Sequence, residues 1–444
     1  MRLSTADRTR SGRTGSRRTG PGDSGTRTAD LPPWQTPPAA ARPAVTGTVT
    51  AEIAVVGAGL TGLTTAYRLA RTAPHLDVVL VDADRPGAGA SGRGTGLLGP
   101  RVGPPPDTAR RRYGDATARR MYETSVGWVH QALHLIDELD ADCGVDAPGQ
   151  LMVAGSARAT TALRRQAAAY RDLDLDPQLL ADPGPFRAAL RFPVAATLDP
   201  AALTAALTAA IDRLGVRRFD HSPVTAVRDG ELTFPTGTVR ARRTVIAVGG
   251  FAAALRLPVG TVAPMRVRAL ATAPLPHSQR ARLGRQAVID VTQMGPYYRL
   301  TPDGRLIAGG GPVEVPASGG HGGDAHAWRW IADRLPDGVT VTHRWSGRVG
   351  MTGDGLPVVG RITDNTWFAG GCCGHGLALS IATGTHLAQA LTGDAPVPDT
   401  AGPLPWHRTR GPWLPTTGPA RPLLRSYTSL LARRAARDGL EHVG

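Results

Sequence analysis

Residues 51–82 read AEIAVVGAGLTGLTTAYRLARTAPHLDVVLVD. An apolar strand over residues 53–56 runs into Gly57-x-Gly59-x-x-Gly62, then a helix, then a second apolar strand ending in Asp82. Each part has a physical use in holding a dinucleotide. Gly57 permits the tight strand-to-helix turn, Gly59 lets the backbone approach a pyrophosphate, and Gly62 lets the helix pack on the sheet. The helix start offers free N–H groups and the positive end of its dipole to phosphates. Leu60 and Thr61, between the glycines, are assigned to the same turn. Asp82 lies twenty residues past Gly62, where a carboxylate accepts both ribose hydroxyls. An ordinary glycine-rich turn would account for the glycines and leave Asp82 unexplained.

With 444 residues the chain is long enough for two domains or one large interleaved unit. Apolar residues make up 41%, and no run is long enough to span a membrane. The net charge is +15, yet residues 1–48 and 401–444 carry +5 each. What is left for the middle is ordinary for its size and argues against nucleic-acid binding. The sequence contains no lysine, so no lysine serves as base, Schiff-base partner or oxygen activator. Cys143, Cys372 and Cys373 form no disulfide framework and no zinc-ligand spacing, so no metal is expected. This cysteine usage fits a reducing cytoplasm. Arg17-Arg18 is followed by no apolar segment, which excludes an export signal and leaves a cytoplasmic location as the expectation.

Residues 1–48, rich in Arg, Gly, Ser, Thr and Pro, are expected to form a disordered basic tail. A glycine-rich loop, residues 87–96, follows the first βαβ unit. Helical spacing predicts one helix over 108–140, another over 158–173 and a third over 200–214. Residues 150–153 and 244–248 read as strands. Residues 264–273, 286–291, 297–300 and 305–308 read as an antiparallel sheet, with Thr301-Pro-Asp-Gly304 as a hairpin turn. A short helix is expected over 328–335 and a basic one over 421–437. Near the C-terminus, a strand over 366–369 enters Gly370-Gly-Cys-Cys-Gly-His-Gly376 and a helix to Leu391.

These segments together resemble the FAD-dependent oxidoreductases of the glycine/D-amino-acid oxidase superfamily, most of all the γ-glutamylputrescine oxidase and sarcosine oxidase type. The resemblance rests on IAVVGAGLTGLTTAYRLA (53–70), GAGASGRGTG (87–96), TVIAVGGFAA (244–253), PYYRLTPDGRLIAGGG (296–311), RVGMTGDGLPVVG (348–360) and WFAGGCCGHGLALSIATG (367–384). It implies a Rossmann-like FAD-binding domain of α/β class, interleaved with an α+β substrate domain on an antiparallel sheet. On that pattern residues 49–100, 149–255 and 345–395 form the FAD-binding domain, and residues 101–148 and 256–344 the substrate domain. Residues 396–444 are then a Pro-rich segment with a basic C-terminal helix.

The resemblance also implies site residues. Ser91, Gly92 and Arg93 match the loop over pyrophosphate and flavin, Val224 the adenine side, and Gly249 the turn beneath the adenosine half. Gly371, Gly374, Gly376 and Leu377 match the second glycine-rich turn, whose helix start favours negative charge on the reduced ring. His375 is expected either to cap that helix or to meet substrate. Of Tyr297 and Tyr298, which alternate across a strand, Tyr298 is expected to face substrate. Arg348 is expected to hold a carboxylate or to form a structural ion pair. The lysine that activates oxygen in sarcosine oxidases is matched by Ile307, and residues 346–351 lack the cysteine that tethers flavin in some relatives, so FAD is expected to be non-covalent. The expected reaction is oxidation of a C–N bond in a small amine or amino acid, by hydride transfer from its α-carbon to flavin N5, giving an imine. The electron acceptor is oxygen, with peroxide formed, or another carrier. The alternatives are a monooxygenase, a dehydrogenase, or a non-catalytic FAD-binding subunit.

Overall fold

A computed structural model of the chain describes residues 31–34, 40–257, 259, 262–292, 295–311, 336, 338–393 and 408. The expected helices over 328–335 and 421–437 lie outside them, as do residues 1–30 of the expected tail.

The opening strand is longer than its apolar core suggests and runs Gly47–Val56. It pairs in parallel with Gly237–Ile246 on one side and Val78–Val81 on the other. Arg217–Phe219 extends this parallel set beyond Val78–Val81, and Thr366–Gly370 extends it beyond Gly237–Ile246. Val358–Arg361 closes one edge antiparallel. Alternate residues of the central strand serve two cores, as a two-residue strand period requires. Ile53 and Val55 pack with the helices Leu60–Thr72, Pro200–Arg213 and Gly376–Thr392. Ala54 and Val56 pack on the opposite face with Val239 of the neighbouring strand and with Leu232 and Phe234 of an antiparallel extension, Glu231–Phe234. Val78–Val81 is buried along its whole length, as expected for a parallel strand covered on both faces.

The second sheet runs Val341–Met351, Ala263–Pro274, Arg305–Gly309, Tyr297–Leu300, Ala287–Asp290, Gln150–Ala154, Ala188–Phe192, Gln178–Leu179. Among the described residues its one parallel pair is Ala287–Asp290 with Gln150–Ala154. The predicted hairpin is present: Thr301 N–H donates to Arg305 O at 2.9 Å, and Gly304 takes φ +83°.

Three features depart from the sequence reading. Residues 150–192 and 345–351, assigned to the FAD-binding domain, contribute strands to the second sheet. The helix expected over 108–140 is two helices, Pro106–Tyr113 and Asp115–Glu138, separated by Gly114 at φ +79°. Such a φ is open to glycine at little cost and ends a right-handed helix. Residues 40–48, placed in the disordered tail, lie against the first sheet. Arg218, buried and paired with Asp220 at 2.6 Å, donates to Ala40 O at 3.0 Å. Asp220 and Ser222 accept the N–H groups of Arg42 and Val45 at 2.8 and 3.0 Å. A buried ion pair leaves donors and lone pairs to satisfy, and the backbone of this segment satisfies them.

Candidate active site

A cleft of about 1300 Å³ opens at the carboxyl ends of Gly47–Val56 and Gly237–Ile246 and is closed on its far side by the second sheet. Ligands of doubly wound sheets bind at this end. The volume exceeds the roughly 300–1,000 Å³ of a typical single-ligand pocket. It leaves room for a dinucleotide and a second small molecule.

At the first turn the glycines act by geometry. Gly57 has φ +104°, and a Cβ there would stand 2.5 Å from Ala247 O. A Cβ on Gly62 would stand 1.8 Å from Gly57 O, so Gly62 packs the helix on the turn and does not line the cleft. Gly59 caps Leu60–Thr72 with no side-chain hydrogen bond. Leu60 N–H is taken by Ser91 Oγ at 2.9 Å, and Thr61 borders the cleft. Asp82 accepts Ala58 N–H at 2.6 Å and Asp84 N–H at 2.8 Å. Burial pushes its pKa up. A helix start with glycine at its cap, a backbone that admits no Cβ and a half-buried carboxylate at the strand end fit the phosphates and ribose of a dinucleotide. Val224 and Gly249 border the same end.

The glycine-rich loop is held from behind by three remote donors. Trp34 Nε1 reaches Gly92 O at 3.4 Å, Trp345 Nε1 reaches Arg93 O at 2.9 Å, and Arg299 Nε bonds Thr95 O. Arg299 Nη2 also donates to Leu198 O at 2.9 Å. Burial pulls Arg299 down to about 10, which keeps it a cation at neutral pH. Gly92 closes the turn onto Gly87 O at 3.1 Å, and a Cβ there would stand 2.5 Å from that same oxygen. Arg93 borders the cleft while its guanidinium bonds Ala88 O at 3.1 Å and Ser346 O at 3.4 Å.

Across the cleft, Gly371 (φ +77°), Gly374 (φ +85°), Gly376 and Leu377 form the turn that starts Gly376–Thr392. His375 Nδ1 lies 3.0 Å from Cys373 O. A carbonyl only accepts, so Nδ1 carries the proton and Nε2 is left as an acceptor. Burial, with the Arg101 charge nearby, pulls His375 down to about 3.

Arg101 is the residue that sequence reasoning missed. It lines the cleft close to Tyr170, Cys373 and His375. Among the described residues no carboxylate, carbonyl or hydroxyl pairs with its guanidinium. Its side chain is exposed to the open cleft, and the surrounding walls still lower its pKa by desolvation. Its surroundings come from residues 170 and 373, far away in sequence, so no local signal marks it.

The tyrosine expectation is reversed. Tyr298 is buried in the second sheet's own core with Val153, Leu270 and Val288, and Tyr297 lines the cleft. Burial raises the Tyr297 pKa, and Thr95 lies beside it. It stands opposite Gly309 on the paired strand, where a Cβ would lie 2.3 Å from Tyr297 Oη. That glycine is the available sequence signal, since it leaves space for a ring on one face only. Arg348 stands at the rim, exposed, with its guanidinium 4.8 Å from the centroid of Phe251. Ile307 is fully buried with Trp345, and Trp34 packs against them.

Comparison with known proteins agrees with this architecture. The family model described as FAD dependent oxidoreductase, DAO, matches residues 52–390. The chain is 29% identical to gamma-glutamylputrescine oxidoreductase of Escherichia coli (strain K12), over 81% of this chain and 88% of that protein. It is 27% identical to the probable oxidoreductase OrdL of Rhizobium meliloti (strain 1021), over 79% and 85%. Glycine oxidase from Geobacillus kaustophilus shares the fold with a TM-score of 0.66 at 22% identity, covering 78% of this chain and 96% of that one.

Proposed function

The chain belongs to the DAO family of FAD-dependent oxidoreductases, and we propose that it oxidises the C–N bond of a small amino acid or amine seated between Arg101, His375 and Tyr297. The observation that carries the reading is Arg101, a cleft-lining cation without an anionic partner among the described residues, beside a histidine held neutral. When bound, FAD would accept the hydride, which carries both electrons of the oxidation. The chain's residues do the rest. Arg101 takes the substrate carboxylate, in the bidentate manner a guanidinium allows. His375 Nε2 accepts a hydrogen bond from the substrate amine; with so low a pKa it orients the amine and removes no proton from it. Tyr297, beside Thr95, forms the wall of the second sheet. Fixing the α-carbon in one orientation in a site screened from water contributes much of the rate.

FAD is held without a covalent bond in this reading. Cys373 is occupied by Thr352 and Gly371, and its thiol is pushed up to about 11, so it is not a thiolate at neutral pH. Ile307 places no charge beside Trp345, and this favours an acceptor other than oxygen as the second reading. Three free thiols support a cytoplasmic location. No helix among the described residues is long and apolar enough to cross a membrane.

The test is Arg101→Gln, assayed with an amino acid and with its decarboxylated amine. Loss of a charge-assisted pair worth about 2 kcal/mol raises KM for the amino acid about thirtyfold and leaves the amine nearly unchanged. Equal effects on both substrates contradict the assignment.

A further inference from the structure

Arg408 lies beyond the family match, which ends at residue 390. Its contacts are nonetheless built like those of a core residue. Nη1 and Nη2 meet Asp354 Oδ2 and Oδ1 at 2.5 and 2.9 Å. Nη2 also donates to Leu356 O at 2.8 Å, and Nε to Pro357 O at 3.1 Å. Its backbone N–H donates to Val359 O at 3.0 Å. The pair is largely shielded, with side chains 17% and 21% exposed. The guanidinium holds the Asp354 carboxyl below the usual range.

The segment so held is one wall of the cleft. Thr352, Gly353, Asp354 and Gly355 line it. Leu356 O receives a second donor, Thr352 Oγ1, at 2.7 Å, so one carbonyl joins the clasp to Thr352. Thr352 in turn touches the second glycine-rich turn. Its N–H and its Oγ1 each lie 3.4 Å from Cys373 Sγ, and its Cγ2 lies where a Cβ on Gly371 would come within 2.7 Å. Cys373 sits at φ +52°, a conformation that a non-glycine residue holds only when its neighbours enforce it. The chain of contacts therefore runs from Arg408 through Asp354 and Leu356 to Thr352, and on to the Cys373 turn that starts Gly376–Thr392.

We propose that Arg408 is a positioning residue: a clasp supplied by the segment after the family region, which fixes the 352–357 loop and through it the glycine-rich turn against the cofactor. The clasp acts through an ion pair and carbonyl bonds, with no contact of its own to the cleft. A fork that meets two carboxylate oxygens and two carbonyls is not reproduced by an ammonium, so Arg408→Lys restores the function in part only.

The test uses the full-length holoprotein and reads the FAD dissociation rate and the visible circular dichroism of the bound flavin, with no substrate present. Arg217→Gln is the control; it breaks an ion pair of 2.5 Å with Asp77, beyond the amino end of the Val78–Val81 strand. Arg408→Gln and Asp354→Asn are each expected to speed FAD release about tenfold and alter the flavin signal. The double variant is expected to be no worse than either single one, because both remove the same clasp. Arg408→Lys falls between and serves if the glutamine variant does not fold. Release rates and flavin signals like wild type in the Arg408 variants overturn the proposal. So does an equal acceleration in Arg217→Gln, which would make the effect one of general stability.

Discussion

At the scale of single residues, His375 gives the sharpest consequence. Its folded pKa, about 3, lies far below the ordinary histidine value. The folded protein therefore holds it neutral where the unfolded chain binds a proton. This contribution to stability is complete above about pH 6.5, the unfolded value, and fades as pH falls toward the folded one. His375→Gln is expected to flatten the acid limb of a stability–pH curve between those values, read from denaturant midpoints. Between pH 7 and 9 the variant and wild type are expected to share one pH profile of kcat/KM, since His375 exchanges no proton there. How far single residues can be read from sequence follows the range of their causes. Gly62 and Asp82 answer to Gly57 O and Ala58 N–H, within thirty residues, and could be read from local spacing; Gly57 shows its local φ of +104° but also a distant neighbour, Ala247 O. Tyr297 and Tyr298 show the limit: alternation says that they face opposite ways, but the sign is set by the partner strand. Arg101 owes its role to Tyr170 and Cys373, so it carried no mark.

At the scale of elements, the cleft depends on how two helices cross. Leu60–Thr72 and Gly376–Thr392 start at the two glycine-rich turns and meet at Gly384. A Cβ there would stand 2.6 Å from Thr61 O and 2.8 Å from Thr64 Cβ. Gly384→Val is expected to wedge them apart, costing about 1–3 kcal/mol in overpacking. FAD affinity is expected to fall in the same variant because both helix starts shift, a pairing that equilibrium unfolding and flavin titration measure separately. Unchanged affinity beside a stability loss would separate the crossing from the site. Helices were legible where a periodic apolar face was intact, as in Pro200–Arg213. The apolar spacing that predicts the helix over 108–140, Tyr122 to Ile136, lies wholly after Gly114 and carries no information about a break there. The strands of residues 150–192 join the second sheet through Ala287–Asp290, well over a hundred residues further along the chain, so no local signal says which sheet takes them.

At the scale of the whole molecule, two sheets meet across one cleft, and segments on both sides of the family region are tied back to it. Trp34 holds the loop on one wall, Arg408 the loop on the other, and the buried Arg218–Asp220 pair anchors residues 40–45. The Arg, Gly, Ser, Thr and Pro of residues 1–48 mark the whole stretch as a tail, whereas residues 40–45 use their backbone to meet buried groups at a distant edge strand. The central claim is that this assembly presents an amine to FAD for oxidation. Its most direct measurement is anaerobic mixing of the purified protein with a panel of amino acids and their decarboxylated amines, followed by flavin absorbance. The account predicts that the flavin bleaches with at least one amino acid, and more readily than with the amine lacking its carboxylate. Bound flavin that no amino acid or amine reduces would contradict it.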